Sequence, residues 1–331
     1  MLGRIKLNLD SIAMMLFCAR LKAYKEVPLT TDEWLMIEKI IKKKELSGPA
    51  SLLSMSQSEL EDILEVNEFI AYKMSRRLKT INIFLSVLNN LEHNGINITT
   101  KYEDNYPQRL IKYLRKRAPL YLFYCGDINV IKEGVSLAGL TKVTKKDRTY
   151  TKRLLDKAIA NDLIYISNDS KGVDEIAFKY ALQQGCYCVD FVCERLTAKQ
   201  NDYRKYLKSG QLLMLSAEDP NSYFYITSAI DRNSYVCALS KYQIIISTSI
   251  NNGATWFTAL QNLHNNWTIP MAIEGLYLGN DRLLDIGVTP IYIKDILSDS
   301  SFDRIYENNK KSLVDAEVNI DQMSIFEFIG E

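Results

Sequence analysis

The chain has 331 residues, of which 47% are hydrophobic and 24% charged, and a formal charge of +1. This is ordinary globular composition with room for about two domains, and it contains no low-complexity tract. A charge so near zero argues neither for nor against a polyanionic partner, so the distribution of charge has to be read instead.

The N-terminal apolar stretch Ile12 to Cys18 is too short to span a bilayer and is followed by no small-residue cleavage pattern. Neither a membrane span nor a signal peptide is expected. Residues 1 to about 100 read as helical. Apolar positions recur at three and four residues in Trp34, Ile37, Ile40 and Ile41, and again in Leu78, Ile81, Leu85 and Leu88. Ser56 and Glu59 have capping-box spacing and open a short helix. Several short helices with brief turns suggest a small bundle of the sterile-alpha-motif or helix-hairpin-helix kind, in which Ser47-Gly48-Pro49 is the one Gly-containing turn available for a DNA backbone. Gly95 to Thr100 closes this helical region.

Beyond it the pattern changes. Pro119 to Asp127 reads as a strand ending in a turn. Further strand candidates are Val135–Ala138, Leu163–Ser167, Tyr187–Val192, Leu212–Leu215, Ile244–Ser247, Ile269–Ile273 and Thr289–Ile293, many of them separated by helical patterns. That alternation implies an α/β fold built on a mostly parallel sheet covered on both faces. The stops after three strands are rich in Gly, Ser, Thr, Asn and Asp: Ala138-Gly139-Leu140-Thr141, Ser167 to Asp174, and Ser247 to Thr258. Turns of this kind aim backbone N–H groups and helix N-termini at the carboxyl edge of a sheet, where anions bind.

Charge supports this reading. Lys101 to Lys157 carries 14 Lys and Arg against 6 Asp and Glu, whereas Asp299 to Glu331 carries 3 against 8. The basic middle, including Arg115-Lys116-Arg117 and Lys142 to Arg153, is either a nucleic-acid surface or a set of solvated faces. The six cysteines form no CxxC pair and only His93 and His264 could accompany them. Cys186 and Cys188 would share one face of a strand, but with no second pair the reading is buried reduced thiols in a cytosolic protein, with no metal and no cofactor.

Several segments, in order, resemble the DNA-processing protein A (DprA/Smf) family. Tyr106-Pro107-x-x-Leu110 and Pro119-Leu120-x-Leu122-Phe123-x-x-Gly126-Asp127 are similar to the entry to that fold. Val135 to Gly139 resembles the strand leading to Gly-Ser-Arg, and Ser167 to Asp174, with Ala177 and Ala181-Leu182, resembles Ser-Gly-x-Ala-Arg-Gly-Ile-Asp and its helix. Arg232-Asn233 with Leu239-Ser240, Asn252 to Trp256 with Thr258-Ala259, and Gly279-Asn280 with Leu283-Leu284 and Gly287 continue the match.

The resemblance implies an extended Rossmann-like, mostly parallel sheet over 101–297, behind a small helical domain at 1–100 and ahead of an acidic tail at 298–331. It also implies a non-catalytic role, binding single-stranded DNA and loading a RecA-type recombinase, with a homodimer as the expected form. Asn168 and Ser170 stand where the pattern has Gly and Ala, and three arginine positions depart from it. Leu140-Thr141 stands where the family has Arg, Lys171 replaces another Arg, and Ser234 replaces the second Arg of Arg-Asn-Arg. Lysine neutralises a phosphate but lacks the planar fork of arginine.

The site expected from these loops comprises Gly139, Thr141, Lys142, Ser167, Lys171, Gly172, Arg232, Asn233, Gly253, Thr255 and Trp256. The glycines would let backbone approach the ligand, the hydroxyls of Thr141, Ser167, Ser247 and Thr255 would donate, and Lys142, Lys171 and Arg232 would supply charge. Trp256 would stack a base or else fill the core. Arg232 would hold phosphate or else form a buried ion pair, and Asp174 reads as a turn brace rather than a general base. Near the terminus, Gln322-Met323-Ser324-Ile325-Phe326 is similar to the peptide by which bacterial replication proteins hold the sliding clamp. Gln322, Met323, Ile325 and Phe326 would be its anchors, unless the segment is a helix docked on its own domain. Two other functions fit the same sheet: a sensor of small nucleotides, and a nucleotide-processing hydrolase of the phosphoribohydrolase kind, for which no paired Glu motif is present.

Overall fold

A computed structural model describes residues 6–310 of the chain. Five helices come first: α1 (Leu9–Cys18), α2 (Thr31–Lys43), α3 (Gln57–Leu64), α4 (Glu68–Lys79) and α5 (Ile81–His93). The capping box at the start of α3 forms as spaced. Ser56 Oγ accepts the Glu59 N–H at 3.3 Å and the Glu59 carboxylate accepts the Ser56 N–H at 2.7 Å. Residues Ala13 to Phe17 of α1 are wholly buried, so this apolar run is a core helix, and no described helix is long and apolar enough to cross a membrane. Arg77, itself fully buried, donates to the carbonyls of Phe17 at 3.1 Å and Ala19 at 2.8 Å. It thereby caps carbonyls at the end of α1, sharing that of Phe17 with the Leu29 N–H.

The remaining elements alternate. They are β1 (Asn97–Thr100), α6 (Gln108–Leu114), β2 (Tyr121–Cys125), β3 (Gly134–Ala138), α7 (Lys145–Ala160), β4 (Ile164–Ser167), α8 (Val173–Gln183), β5 (Cys188–Phe191), α9 (Leu196–Asp202), α10 (Arg204–Lys208), β6 (Leu212–Ser216), α11 (Ile226–Leu239), β7 (Tyr242–Ile245), α12 (Gly253–Asn265), β8 (Ile269–Ile273), α13 (Leu278–Asp285), β9 (Thr289–Ile291), α14 (Ile293–Leu297) and α15 (Phe302–Asn309). They form one sheet in the order β1-β2-β6-β5-β4-β3-β7-β8-β9. All pairs from β6 to β9 are parallel, while β1 and β2 add an antiparallel edge.

The strand β1 is a departure from expectation, since Asn97–Thr100 read as the end of the helical region. Four residues are too few to display an alternation. Their pairing with Tyr121–Tyr124 is non-local, and the buried hydroxyl of Thr100 meets Ser11 of α1 at 2.7 Å.

Side chains in the parallel strands partition with period two. Val135, Leu137, Tyr165, Cys188, Met214, Ile244 and Ile246 join a core cluster that runs without break to Met14, Trp34 and Phe84 of the N-terminal helices. Ile164, Ile166, Val189, Phe191, Leu213 and Leu215 face the opposite way, against Val236 and Cys237 of α11. All six cysteines are free and buried, and no cluster of potential metal ligands occurs among the described residues.

Candidate anion and nucleic-acid site

The strand order fixes where a site belongs. From β3 the chain crosses through α7 to β4 on one side, and from β7 it crosses through α12 to β8 on the other. β3 and β7 are hydrogen-bonded neighbours, so the crossovers diverge there and leave a crevice at their carboxyl ends. A cavity of about 200 Å³ lies at that point. Its walls include Ser136 to Thr141 of β3 and its turn, Asn168, Lys171 and Asp174 of the turn before α8, Arg232 and Asn233 of α11, and Asn252 to Thr255 at the start of α12.

Seven of the expected site residues meet at this cavity: Gly139, Thr141, Lys171, Arg232, Asn233, Gly253 and Thr255. Gly172 borders an adjoining groove, and Lys142 is exposed beside Thr141 without lining the cavity. Trp256 requires a correction. Its side chain is 4% exposed, packed in a cluster with Ile245, Phe257, Ala272 and Leu283, so it is core and offers no face to a base. Trp256→Ala is therefore expected to cost about 3–5 kcal/mol of stability and to leave ligand affinity unchanged. Chemical denaturation alongside a binding titration checks both. Gln322, Met323, Ile325 and Phe326 lie outside the described residues.

The glycines and hydroxyls also act differently from expectation. A Cβ on Gly139 would stand 2.4 Å from Val173 Cγ2, and one on Gly172, where φ is +91°, would stand 2.5 Å from the Leu140 carbonyl oxygen. These two glycines let one loop approach another. Gly253, at φ +81°, lines the cavity with open space around its Cα. Thr255 Oγ1 donates to the Gly139 carbonyl at 3.3 Å, and Ser247 Oγ accepts the Leu140 N–H at 3.0 Å. Ser167 Oγ accepts the Asp169 N–H at 3.0 Å and donates to Asp174 at 3.1 Å. The hydroxyls of Thr255 and Ser247 thus tie the turn after β3 to the turn after β7, while Ser167 braces the turn after β4 from within.

Asp174 is the brace that its position suggested. Its carboxylate accepts from Tyr165 Oη at 2.5 Å, from Ser167 Oγ, and from the Ser170 N–H at 2.9 Å. Burial pushes its pKa up to about 6, opposed by those hydrogen bonds and by the nearby Arg232 charge. Asp190, one strand away in register with Ser167, escaped the sequence reading although an acid inside Val189-Asp190-Phe191 was a visible anomaly. It is buried with Oδ1 unpartnered. Burial first, then the charges of Asp169 and Asp174, push its pKa up to about 8. Ser136 was likewise missed, although a Ser inside an apolar strand marks one face of that strand. It is 5% exposed, and its hydroxyl has no partner.

Arg232 decides the character of the cavity. It is 7% exposed; Nη1 points to Cys193 Sγ at 3.1 Å, Nη2 to Asn233 Oδ1 at 3.4 Å, and Nε has no partner. No carboxylate oxygen lies within ion-pair distance of it among the described residues, so the buried ion pair considered for it does not form there. Asn233 is held between Asn168 Nδ2 at 3.0 Å and Thr258 Oγ1 at 3.3 Å, leaving Asn168 Oδ1 open. A buried guanidinium facing a polar cavity suits an anion.

Basic side chains gather in two patches. Arg148, Lys152, Lys171 and Lys179 line a groove of about 580 Å³ between α7 and α8 that shares Thr141 and Lys171 with the cavity. Lys112 and Arg115 to Arg117 gather around His264. That patch sits at the far end of α12, whose 13 residues separate it from Gly253 by about 20 Å.

The model of the DNA recombination-mediator protein A family matches residues 97–300, which begins at β1 and takes in the whole sheet. The chain belongs to this family. Two solved structures share the fold. DNA processing protein A from Streptococcus pneumoniae superposes with a TM-score of 0.62 at 19% identity, covering 83% of this chain and 100% of the other. DNA processing protein A from Helicobacter pylori, whose structure describes its single-stranded DNA binding mode, superposes at 0.50 and 19% identity, covering 65% and 97%. No curated protein matches the chain.

Proposed function

We propose that this member of the family binds single-stranded DNA in recombination or related DNA handling. One phosphate would sit in the cavity against Arg232, and the neighbouring backbone would run along the α7–α8 groove. The observation that carries this reading is Arg232, a buried cation with an open donor at the switch point of the sheet. The α8 and α12 N-termini add favourable potential at the same edge. The reading is non-catalytic, because the carboxylate that lines the cavity, Asp174, is consumed in bracing the loop. Partnership with a RecA-type recombinase, self-association as a dimer and a cytoplasmic setting belong to the same proposal by way of family membership.

Fluorescence anisotropy with single- and double-stranded oligonucleotides across a salt series tests it. Single strands should bind more tightly, with log K falling linearly with log salt at about 0.7 per phosphate neutralised. Replacing Arg148, Lys152 and Lys179 together by Ala should flatten that slope by about 1–2 while weakening all sequences alike. If oligonucleotides fail to bind at low salt and mononucleotides raise the melting temperature instead, the cavity is a small-nucleotide site.

A further inference from the structure

Three consecutive aromatic side chains stand in water on the edge of the sheet that carries the cavity. Tyr223, Phe224 and Tyr225 are 68%, 51% and 55% exposed. They lie on the loop that leaves the carboxyl end of β6 and opens α11, the helix that carries Arg232. Exposed large apolar side chains that lie singly need no explanation, but a contiguous run of three does.

The loop is held rather than loose. Its Ser222 carbonyl accepts the Arg195 N–H at 3.0 Å, its Pro220 carbonyl accepts the Thr197 N–H at 3.1 Å, and Ser222 N–H donates back to Asp219 at 2.8 Å. Lys22 donates from Nζ to the Asn221 carbonyl at 2.6 Å and lies 3.8 Å over the Tyr223 ring. The same short segment joins the trio to the cavity. Cys193 receives Arg232, and Arg195, two residues on, holds Ser222. Along α11, the seven residues from Tyr225 to Arg232 span about 10 Å. Lys22 and Arg195 are exposed beside the trio. Glu218 and Asp219 are close by, but Asp219 is engaged by the Lys22 and Asn221 backbone N–H groups.

We infer that Tyr223, Phe224 and Tyr225 form a stacking platform for the unpaired bases of a strand whose phosphates lie against Arg232. The inference rests on the proposed function and assigns to this loop the base contact that Trp256 cannot make. Every base has a π face, so such a platform discriminates unpaired from paired bases without reading sequence. The flanking cations fit the backbone that accompanies those bases.

The test compares a thymidine oligonucleotide with an abasic deoxyribose-phosphate strand of equal length, by anisotropy at fixed salt. The proteins are the wild type, Arg232→Ala and the triple variant Tyr223→Ser, Phe224→Ser, Tyr225→Ser. The wild type should prefer the thymidine strand. The triple variant should lose about tenfold or more on that strand and little on the abasic one, so that the preference collapses. Arg232→Ala should weaken both strands by a similar factor. A 4-thiothymidine strand should photocrosslink within 223–225 of the wild type.

A triple variant that keeps the full preference overturns the platform while leaving the phosphate site standing. So does one that keeps DNA affinity but loses self-association or recombinase binding, which would make the trio a protein contact. A wild type that binds neither strand overturns the phosphate site and the platform together.

Discussion

Arg232→Met should weaken binding of single-stranded oligonucleotides about 10- to 100-fold while leaving the free protein as stable as the wild type or more so. The two halves of this result arise from one physical fact. A charge removed from water pays a large desolvation penalty unless a counter-charge and hydrogen bonds repay it. Arg232 has a thiol and an amide oxygen as partners, and its Nε has none. An apolar side chain of similar length removes that penalty, just as replacing buried ion pairs by hydrophobic residues is often neutral or stabilising. The lost affinity reflects charge-assisted hydrogen bonds to phosphate, each worth about 1.5–3 kcal/mol. Arg232→Lys should recover part of the affinity, because lysine restores the charge without the two-pronged geometry. Paired urea denaturation and anisotropy measurements check the claim. A variant that is strongly destabilised and still binds normally would make Arg232 a structural residue.

Asp190→Asn should stabilise the protein at pH 7–8 and remove much of the fall in stability between pH 5 and 8. An aspartate in the unfolded chain titrates near 3.9, whereas burial and neighbouring carboxylates push Asp190 up to about 8. Across that interval the native state binds a proton that the unfolded state has released. Stability then decreases with rising pH by about 1.4 kcal/mol per unit for one such proton. The contribution is complete below about pH 4 and is gone once pH has passed through about 8. Asp174, pushed up to about 6, adds a second proton of the same sign over the lower part of the range. Asparagine keeps the shape of the side chain and cannot ionise, so the variant should be more stable at pH 8 and show a flatter profile. Melting temperatures from pH 5 to 8 measure this, and a variant whose curve parallels the wild type would show that Asp190 is not the buried acid responsible.

The parallel sheet was legible because its strands are continuous apolar runs bounded by glycine and hydroxyl-rich stops, the pattern that burial on both faces requires. β1 was not, because Asn97–Thr100 becomes a strand only through its distant partner in Tyr121–Tyr124. At the site, local signals found the loops and Arg232-Asn233 but misjudged what individual groups do there. The sequence shows that Gly139 and Gly172 need close approach without showing what approaches; the answer is another loop. Trp256 lies four residues after Asn252 on a turn that does line the cavity, yet the helical phase of α12 points it into the core. Asp190 and Ser136 were visible as polar residues inside apolar strands, and their meaning depended on which face of the sheet the crossovers leave open.

The bracing of the turns after β3, β4 and β7 has a consequence for how a ligand is captured. With Thr255, Ser247, Ser167 and Asp174 already spending their hydrogen bonds on neighbouring backbone and side chains, the receptacle is assembled before anything arrives. Under the proposed function, an incoming strand would meet a finished shape and lose only its own freedom on docking. Encounter is then governed by long-range attraction, and the lifetime of the complex by how many sugar-phosphate units stay engaged at once.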